Sequence, residues 1–361
     1  FTDEWGKYEL SHFVTRITRR NKNNESSLPL TISAQYGLVD QISFFNKTVA
    51  SVDLSGYYLL YNGDFAYNKS YSNDYAWGAV KRLDKYEKGC LSSLYFVFRP
   101  NDNVDSDYLT HYFESSKWHK GISNIAGEGA RNHGLLNMAI DDYFATKHYL
   151  PSLPEQKKIA QFFNAITRRI EIQNKIIEDL KVLKKELCCK LLSNITEYKL
   201  LGELCSITTG RLDANANKPN GLYPFFTCGK ETLLIDTYAF DGEAIMIAGN
   251  GDIGHTKYYC GKFNAYQRTY VLMNFRSNAH FIKMGIDTYL PRKIIEETQG
   301  GAMPYIKMST LESLKIPYVS EKAQLAIKNN YDVIVKKLDQ EVKMLGLLLK
   351  QKSFLLNTMF I

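Results

Sequence analysis

The stretch LPSLPEQKKIAQFFNAITRRIEIQNKIIEDLKVLKKELCCKLL (residues 150–192) decides the fold. From Ile159 onward, side chains spaced alternately by four and three are Ile159, Phe163, Ile166, Ile170, Gln173, Ile177, Leu180, Lys184, Leu187 and Leu191. Apolar residues at that spacing form the seam of a coiled coil, here with two polar interruptions. The periodicity holds over about 155–192, which predicts a helix of about 38 residues and roughly 57 Å, too long for the interior of one small domain.

The pattern returns over about 323–360 as Ile327, Tyr331, Ile334, Leu338, Glu341, Leu345, Leu348, Lys352, Leu355 and Met359. The offset is constant: 327 minus 159 and 359 minus 191 both give 168 residues. Even the polar interruptions coincide, Gln173 with Glu341 and Lys184 with Lys352, which marks an internal repeat. Parallel pairing in register would set Lys184 beside Lys352 in a partly desolvated seam, a like-charge contact that costs free energy. Antiparallel pairing avoids it. With paired residue numbers totalling 525, Lys184 faces Glu341, Gln173 faces Lys352, Ile177 faces Leu348 and Leu180 faces Leu345.

Outside the helices the repeat is weaker but keeps its order. Tyr8-Glu9-Leu10 resembles Tyr198-Lys199-Leu200, YNGDFAYNKS (61–70) resembles FDGEAIMIAGN (240–250), and NMAIDDY (137–143) resembles YIKMSTL (305–311). Each module then leaves through Leu150-Pro151 or Ile316-Pro317 into its helix, proline being an ordinary signal just ahead of a helix. Short β-branched and aromatic runs predict strands in SLYFVFRP (93–100), EAIMIAG (243–249) and QRTYVLMNF (267–275), and short helices are expected near 107–119 and 285–297. The expected fold is α+β: two similar β-rich modules and two long helices packed as an antiparallel intramolecular coiled coil with a pseudo-two-fold relation. The boundaries read as module 1–150, helix 151–194, module 195–317 and helix 318–361.

Composition adds bounds. The 361 residues exceed what one core usually supports, and 45% hydrophobic content is ample for two. The net charge of +7 is a mild basic excess, compatible with a polyanion but not diagnostic of one. Cys90, Cys188, Cys189, Cys205, Cys228 and Cys260 form no C-x-x-C pair and keep no ligand spacing to histidine, so a reduced cytoplasmic protein without structural zinc is expected. No apolar run approaches the roughly 18 residues of a membrane span. Phe1 stands where an initiator methionine would, which implies a short missing N-terminus.

The order module, helix, module, helix, with LPSLPEQKKIAQFF (150–163) leading the first helix, resembles the specificity subunits of Type I restriction-modification systems, whose helices often begin with a Pro-x-x-Glu-Gln segment. The resemblance covers essentially the whole chain, FTDEWGKYEL (1–10) included. The second copy departs, since IPYVSEKAQLAI (316–327) keeps Pro317 and Gln324 but breaks the contiguous motif. The resemblance implies a subunit that binds a split double-stranded DNA sequence, each target-recognition module reading one half and the helices acting as a ruler for the spacer. It also implies methyltransferase partners that bring S-adenosylmethionine, and ATP- and Mg-dependent restriction-translocase partners, with no cofactor in this chain.

Catalytic motifs are missing from the residues themselves. No two of the nine prolines are adjacent, which excludes an Asp/Asn-Pro-Pro-aromatic amino-methylation motif, and no G-x-x-x-x-G-K-[ST] phosphate loop occurs. GNGDIG (249–254) lies in a β-rich module with no clear helix after it, Glu197-Tyr198-Lys199 reads as a solvated turn, and the histidines keep no metal-ligand pattern. No catalytic residue and no metal site are expected. Two other readings stay open: a coiled-coil scaffold that binds only proteins, and a fused restriction or modification enzyme.

Affinity for DNA needs Lys or Arg near phosphates, while specificity needs groups that reach base edges. The candidates in the first module are Arg16, Arg19, Arg20, Lys69, Tyr71, Lys81, Arg82 and the GEGARNHG loop (127–134) with Arg131, Asn132 and His133. Glycines flanking Arg131 and Asn132 would let that loop approach a duplex closely. In the second module they are Arg211, Lys218, Asn250, His255, Lys257, Arg268 and Lys307.

Overall fold

The structure is a computed structural model, described here for residues 4–72, 75–126, 131–132, 134–297 and 305–361. Both long helices are present, Leu153–Ser193 and Glu321–Met359. The chain forms two compact units, one of Phe1–Gln173 with Met344–Ile361 and one of Asn174–Lys343. Each unit is a module together with part of each long helix.

In the first unit an antiparallel sheet has the strand order Val14–Arg16, Phe96–Pro100, Phe65–Asn68, Ala79–Arg82. Side chains alternate between its faces with the period of two that a strand dictates. Phe65, Tyr67, Phe96 and Phe98 face a helical layer that supplies Tyr108, Tyr112, Phe113, Trp118 and Tyr143, and they pack with Ile159 and Phe163 of the first long helix and Leu356 and Phe360 of the second. Ala66, Val97 and Ala79 face a second cluster with Leu30, Ile32, Leu60 and Leu91. Each buried large side chain contributes roughly 1.5–3 kcal/mol, so the aromatic layer is the main stabilising element of this unit.

The second unit repeats the topology in longer strands: Ser206–Thr209, Thr269–Met273, Phe240–Ala248, Thr256–Ala265, extended at the edge by Tyr223–Phe226 and Thr232–Ile235. Ile245, Ile247 and Leu272 pack under the helix Ala279–Glu297, while Ala244, Met246 and Val271 face Phe226 and Phe263. The helix expected near 285–297 therefore begins earlier. The one expected near 107–119 is two, Ser106–Glu114 and His119–Ile125. Tyr198 and Lys199, expected in a turn with Glu197, lie in the strand Tyr198–Leu200, which pairs with Lys315–Pro317.

Backbone hydrogen bonds fix which residues of the two copies correspond. The Leu10 amide donates to the Thr146 carbonyl at 2.8 Å, and the Leu201 amide to the Leu314 carbonyl at 2.9 Å. Leu10 thus matches Leu201, one residue beyond the expected pairing with Leu200, because a fully buried leucine starts the short helix in both copies. The match of NMAIDDY with YIKMSTL holds, with helices Ile140–Phe144 and Met308–Glu312 again 168 residues apart (308 minus 140).

The Leu-Pro and Ile-Pro exits do not correspond. What corresponds is a buried glutamine. Gln156 accepts from the Asp105 amide at 2.8 Å and donates to the Pro151 carbonyl at 3.0 Å. Gln324, 168 residues on (324 minus 156), accepts from the Asn278 amide at 3.2 Å and from the Ser277 hydroxyl at 2.6 Å, and donates to the Val319 carbonyl at 2.8 Å. Val319 is therefore the counterpart of Pro151, and Pro317 aligns with Tyr149.

The helix segments in each unit run antiparallel, as expected. In the first, Phe163 near the start of one helix stacks on Phe360 beyond the end of the other, with ring centroids 5.6 Å apart. The expected pairing of Lys184 with Glu341 does not hold. In the second unit the Lys184 ammonium lies over Tyr331, 5.7 Å from the ring centroid, and Tyr331 is ten residues, about 15 Å, before Glu341 on its helix. Lys352, expected opposite Gln173, binds Glu114 of the first module at 2.9 Å, and Glu341 pairs with Lys337 one turn away. Reading only the two helices against each other omitted the modules' carboxylates.

Two buried groups make the first unit acid-sensitive. His148 is enclosed between the Tyr112 and Thr146 hydroxyls, both at 2.8 Å, and burial pushes its protonation from near 6.5 down to about 4. Burial alone would raise the Glu114 carboxyl. The hydrogen bond with His111 and the Lys352 ammonium outweigh it and hold the group at about 2. In both cases the unfolded chain binds protons that the folded chain refuses, so stability present at neutral pH is lost as pH falls. We expect a first loss between about pH 6.5 and 4 from His148, on the order of 3 kcal/mol, and a second between about pH 4.5 and 2 from Glu114. Thermal unfolding followed against pH reads both; His148→Gln, which does not titrate, removes the first limb only.

Candidate nucleic-acid interface

A cleft in the second module lies at one end of its sheet and has a volume of about 380 Å³. Its walls include Asn250, Gln267, Arg268, Tyr270 and Tyr305. Hydrogen bonds between loops build it. The Gly249 amide donates to the Arg268 carbonyl at 3.0 Å, the Ile306 amide to the Gly249 carbonyl at 2.9 Å, and the Tyr270 hydroxyl to the Ile306 carbonyl at 2.7 Å. Glycine is required at 249, because a Cβ there would stand 2.5 Å from the Arg268 carbonyl oxygen. The turn that follows Asn250 passes through Gly251 at φ +63°. GNGDIG is thus a strand-to-strand turn, followed by the strand Thr256–Ala265.

No carboxylate is among the described residues lining the cleft. Arg268 and Gln267 are exposed, and Asn250 is half-buried. A guanidinium suits the major-groove edge of guanine and carboxamides that of adenine. Exposed Arg211 and Lys307 adjoin it in sequence, with the Gln267 amide bonded to the Leu212 carbonyl at 2.8 Å. Of the expected residues, the structure brings together Asn250 and Arg268, with Arg211 and Lys307 on the flanking backbone. Gln267 and Tyr305 were missed. Gln267 could have been found as a carboxamide ahead of a strand, whereas nothing local distinguished Tyr305 among 25 tyrosines.

The first module also ties a loop to the matching strand end, two residues earlier in the loop than in the second module. The Leu136 amide donates to the Lys69 carbonyl at 3.0 Å, and the Tyr71 amide to the Gly134 carbonyl at 3.1 Å. The short strand Arg131–Asn132 pairs with Leu135–Leu136, and Leu135 in turn bridges Ser70. The side chains of Arg131 and Asn132, and all of His133, lie outside the described residues. Lys69 has its ammonium 4.7 Å from the Phe96 ring centroid, and burial lowers its pKa; Tyr71 is half-buried against the core.

Several expected DNA contacts are structural instead. Asp64 is fully buried and receives Arg19 at 2.8 Å, Arg99 at 2.5 Å and the Tyr61 amide at 2.7 Å, so Arg19 is spent on neutralising it. Arg20 donates to the Gly56 carbonyl at 2.8 Å and lies over the Tyr58 ring. Arg82 bridges Asp84 and Asp107, at 2.6 and 2.7 Å. Burial lowers the Lys81 pKa, partly offset by Glu114. Lys257 is bonded to the Glu231 carbonyl at 2.8 Å, and burial lowers its pKa. His255 is exposed beside it, its pKa lowered first by desolvation and then by Lys257. Arg16, 3.8 Å from exposed Asp141, and Lys218, 3.0 Å from Asp236, are surface pairs that leave both cations accessible.

Among the described residues, no group of three or more His, Cys, Asp or Glu is placed to hold a metal, and no helix is long and apolar enough to cross a membrane. The family described as the Type I restriction modification DNA specificity domain matches twice, over residues 13–182 and 196–351. The chain belongs to this family. Membership carries a role in DNA sequence specificity, and the two matches coincide with the two copies of the repeat. The Type I restriction enzyme EcoDI specificity subunit of Escherichia coli is 37% identical over 139 residues, which is 38% of this chain and 31% of that protein. The match thus spans about a third of the relative's length. The solved Type I S subunit of M. genitalium superposes over 100% of this chain and 97% of its own, with TM-score 0.58 and 18% identity. A structure described as the basis of complex assembly and conformational transition of the type I R-M system covers 98% of this chain and 96% of its own, with TM-score 0.59 and 17% identity. At these identities both likenesses establish the specificity-subunit fold.

Arg19 and Arg211 separate structure from recognition. Arg19→Ala leaves buried Asp64 with one guanidinium fewer and lowers stability by about 1–3 kcal/mol, less than for a fully buried pair because Arg19 is partly exposed. Arg211→Ala stays within about 0.5 kcal/mol of the parent. Urea denaturation of both variants is the check.

Proposed function

We propose that this chain is the DNA-reading subunit of a Type I restriction-modification complex, with each module reading one half of a bipartite site. The observation that carries the reading is the duplicated loop junction: Leu136 to Lys69 in one module and Ile306 to Gly249 in the other. Both junctions lie at corresponding strand ends, and the one in the second module gathers Asn250, Gln267 and Arg268, groups suited to recognising bases. The loops around them differ in sequence, so two different half-sites are read. The long helices set the spacer and dock the methyltransferase subunits.

Catalysis belongs to the partners in this reading. S-adenosylmethionine is held by the methyltransferase subunits, and ATP and Mg by the restriction-translocase subunits, in the cytoplasm with the DNA. The lack of an amino-methylation motif and of a phosphate loop in the sequence favours this over a fused enzyme. The base-reading groups of the cleft favour it over a scaffold that binds only proteins.

Mapping methylated bases in DNA from cells that express the complex tests the reading. A two-part motif is expected, and a single uninterrupted motif overturns it. Gln267→Ala and Arg268→Ala each weaken discrimination at one half-site by roughly 5- to 150-fold, the equivalent of about 1–3 kcal/mol per bidentate contact, and leave the other half unchanged. The purified chain alone, given labelled S-adenosylmethionine and DNA, transfers no methyl group; incorporation would contradict the assignment.

A further inference from the structure

The two buried glutamines are built alike and sit where each module meets its long helix. Gln156 is 1% exposed and Gln324 is 0% exposed. Each amide spans two elements. Its oxygen accepts from the backbone at the N-cap of the module's helix, Asp105 ahead of Ser106–Glu114 and Asn278 ahead of Ala279–Glu297. Its nitrogen holds the carbonyl five residues earlier in its own lead-in, Pro151 or Val319. The N-cap side chains are themselves engaged, Asp105 accepting from the Tyr108 amide at 2.9 Å and Asn278 from the Phe281 amide at 3.1 Å. Each glutamine thus locks three segments: the module helix, the lead-in strand and the long helix.

A contact that only stabilised the fold could be apolar. These are directional, and they sit at a pivot. Over a lever of about 20 Å, the length of a six-residue strand, a swing of about 10° moves a loop by about 3.5 Å. That is close to the base-pair step of about 3.4 Å.

We propose that Gln156 and Gln324 are positioning residues that fix the direction in which each module leaves its long helix, and thereby the spacer length accepted between half-sites. This rests on the bipartite reading above. The glutamines touch no base in it; they act through the loops they aim.

Gln324→Met keeps the buried volume and removes all three hydrogen bonds. Spin labels at Leu222→Cys and Val333→Cys, exposed positions of the second unit at 77% and 69%, report the angle between module and helix once Cys189 and Cys260 are replaced by serine. The parent gives one narrow distance distribution, and Gln324→Met gives a shifted or broadened one. In the complex with its methyltransferase subunits, the same variant methylates sites whose spacers are one base pair longer or shorter, with both half-site sequences kept. Unchanged label distances overturn the positioning role, and an unaltered spacer overturns its consequence for DNA. If the parent complex methylates no bipartite motif, the functional reading fails while the label distances still decide the positioning role. Should Gln324→Met not fold, Gln156→Met with labels at Leu94→Cys and Phe354→Cys makes the same measurement in the first unit.

Discussion

A helix of about 40 residues with one apolar stripe cannot stay folded alone in water, because its stability comes from what covers the stripe. Covering that stripe is the constraint on which the rest of this structure depends. Phe163 and Ile159 are closed by the aromatic layer of the first module together with Phe360 of the second helix. Cys188 and Leu192 are closed by Phe281 and Met284 of the second module. Each module is therefore a lid on the helices, and its position on them cannot vary freely.

The polar positions of the seam follow from the same constraint. A lysine in a half-desolvated groove needs a counter-charge or an aromatic face within reach. Lys352 finds Glu114 at 2.9 Å, and Lys184 finds the Tyr331 ring. Glu114 of the first module supplies the counter-charge for Lys352 and an aromatic face of the opposite helix serves Lys184, so the seam need not adopt the register that helix-to-helix charge pairing alone would favour.

The candidate interface divides by what burial did to each cation. Arg19 and Arg82 come from basic segments that read as groove binders, yet each is held by aspartates inside the fold. Charge in a sequence does not reveal whether its partner is a phosphate or a carboxylate many residues away; Asp64 lies 45 positions from Arg19. Asn250 and Arg268 are also distant in sequence, but the Gly249 to Arg268 hydrogen bond makes them neighbours.

The sequence by itself determined the two helices, the 168-residue repeat, the antiparallel sense of the pairing and the family, because periodicity and motif are local properties that survive without a fold. It also placed the strands around Phe96, Ile245 and Val271, whose apolar character is continuous in the chain. Only the tertiary structure decided the register of the helices, the equivalence of Pro151 with Val319, and the assembly of Gln267 and Tyr305 into one cleft. Those depend on hydrogen bonds and ion pairs between residues far apart in the chain, and such bonds leave no spacing to read.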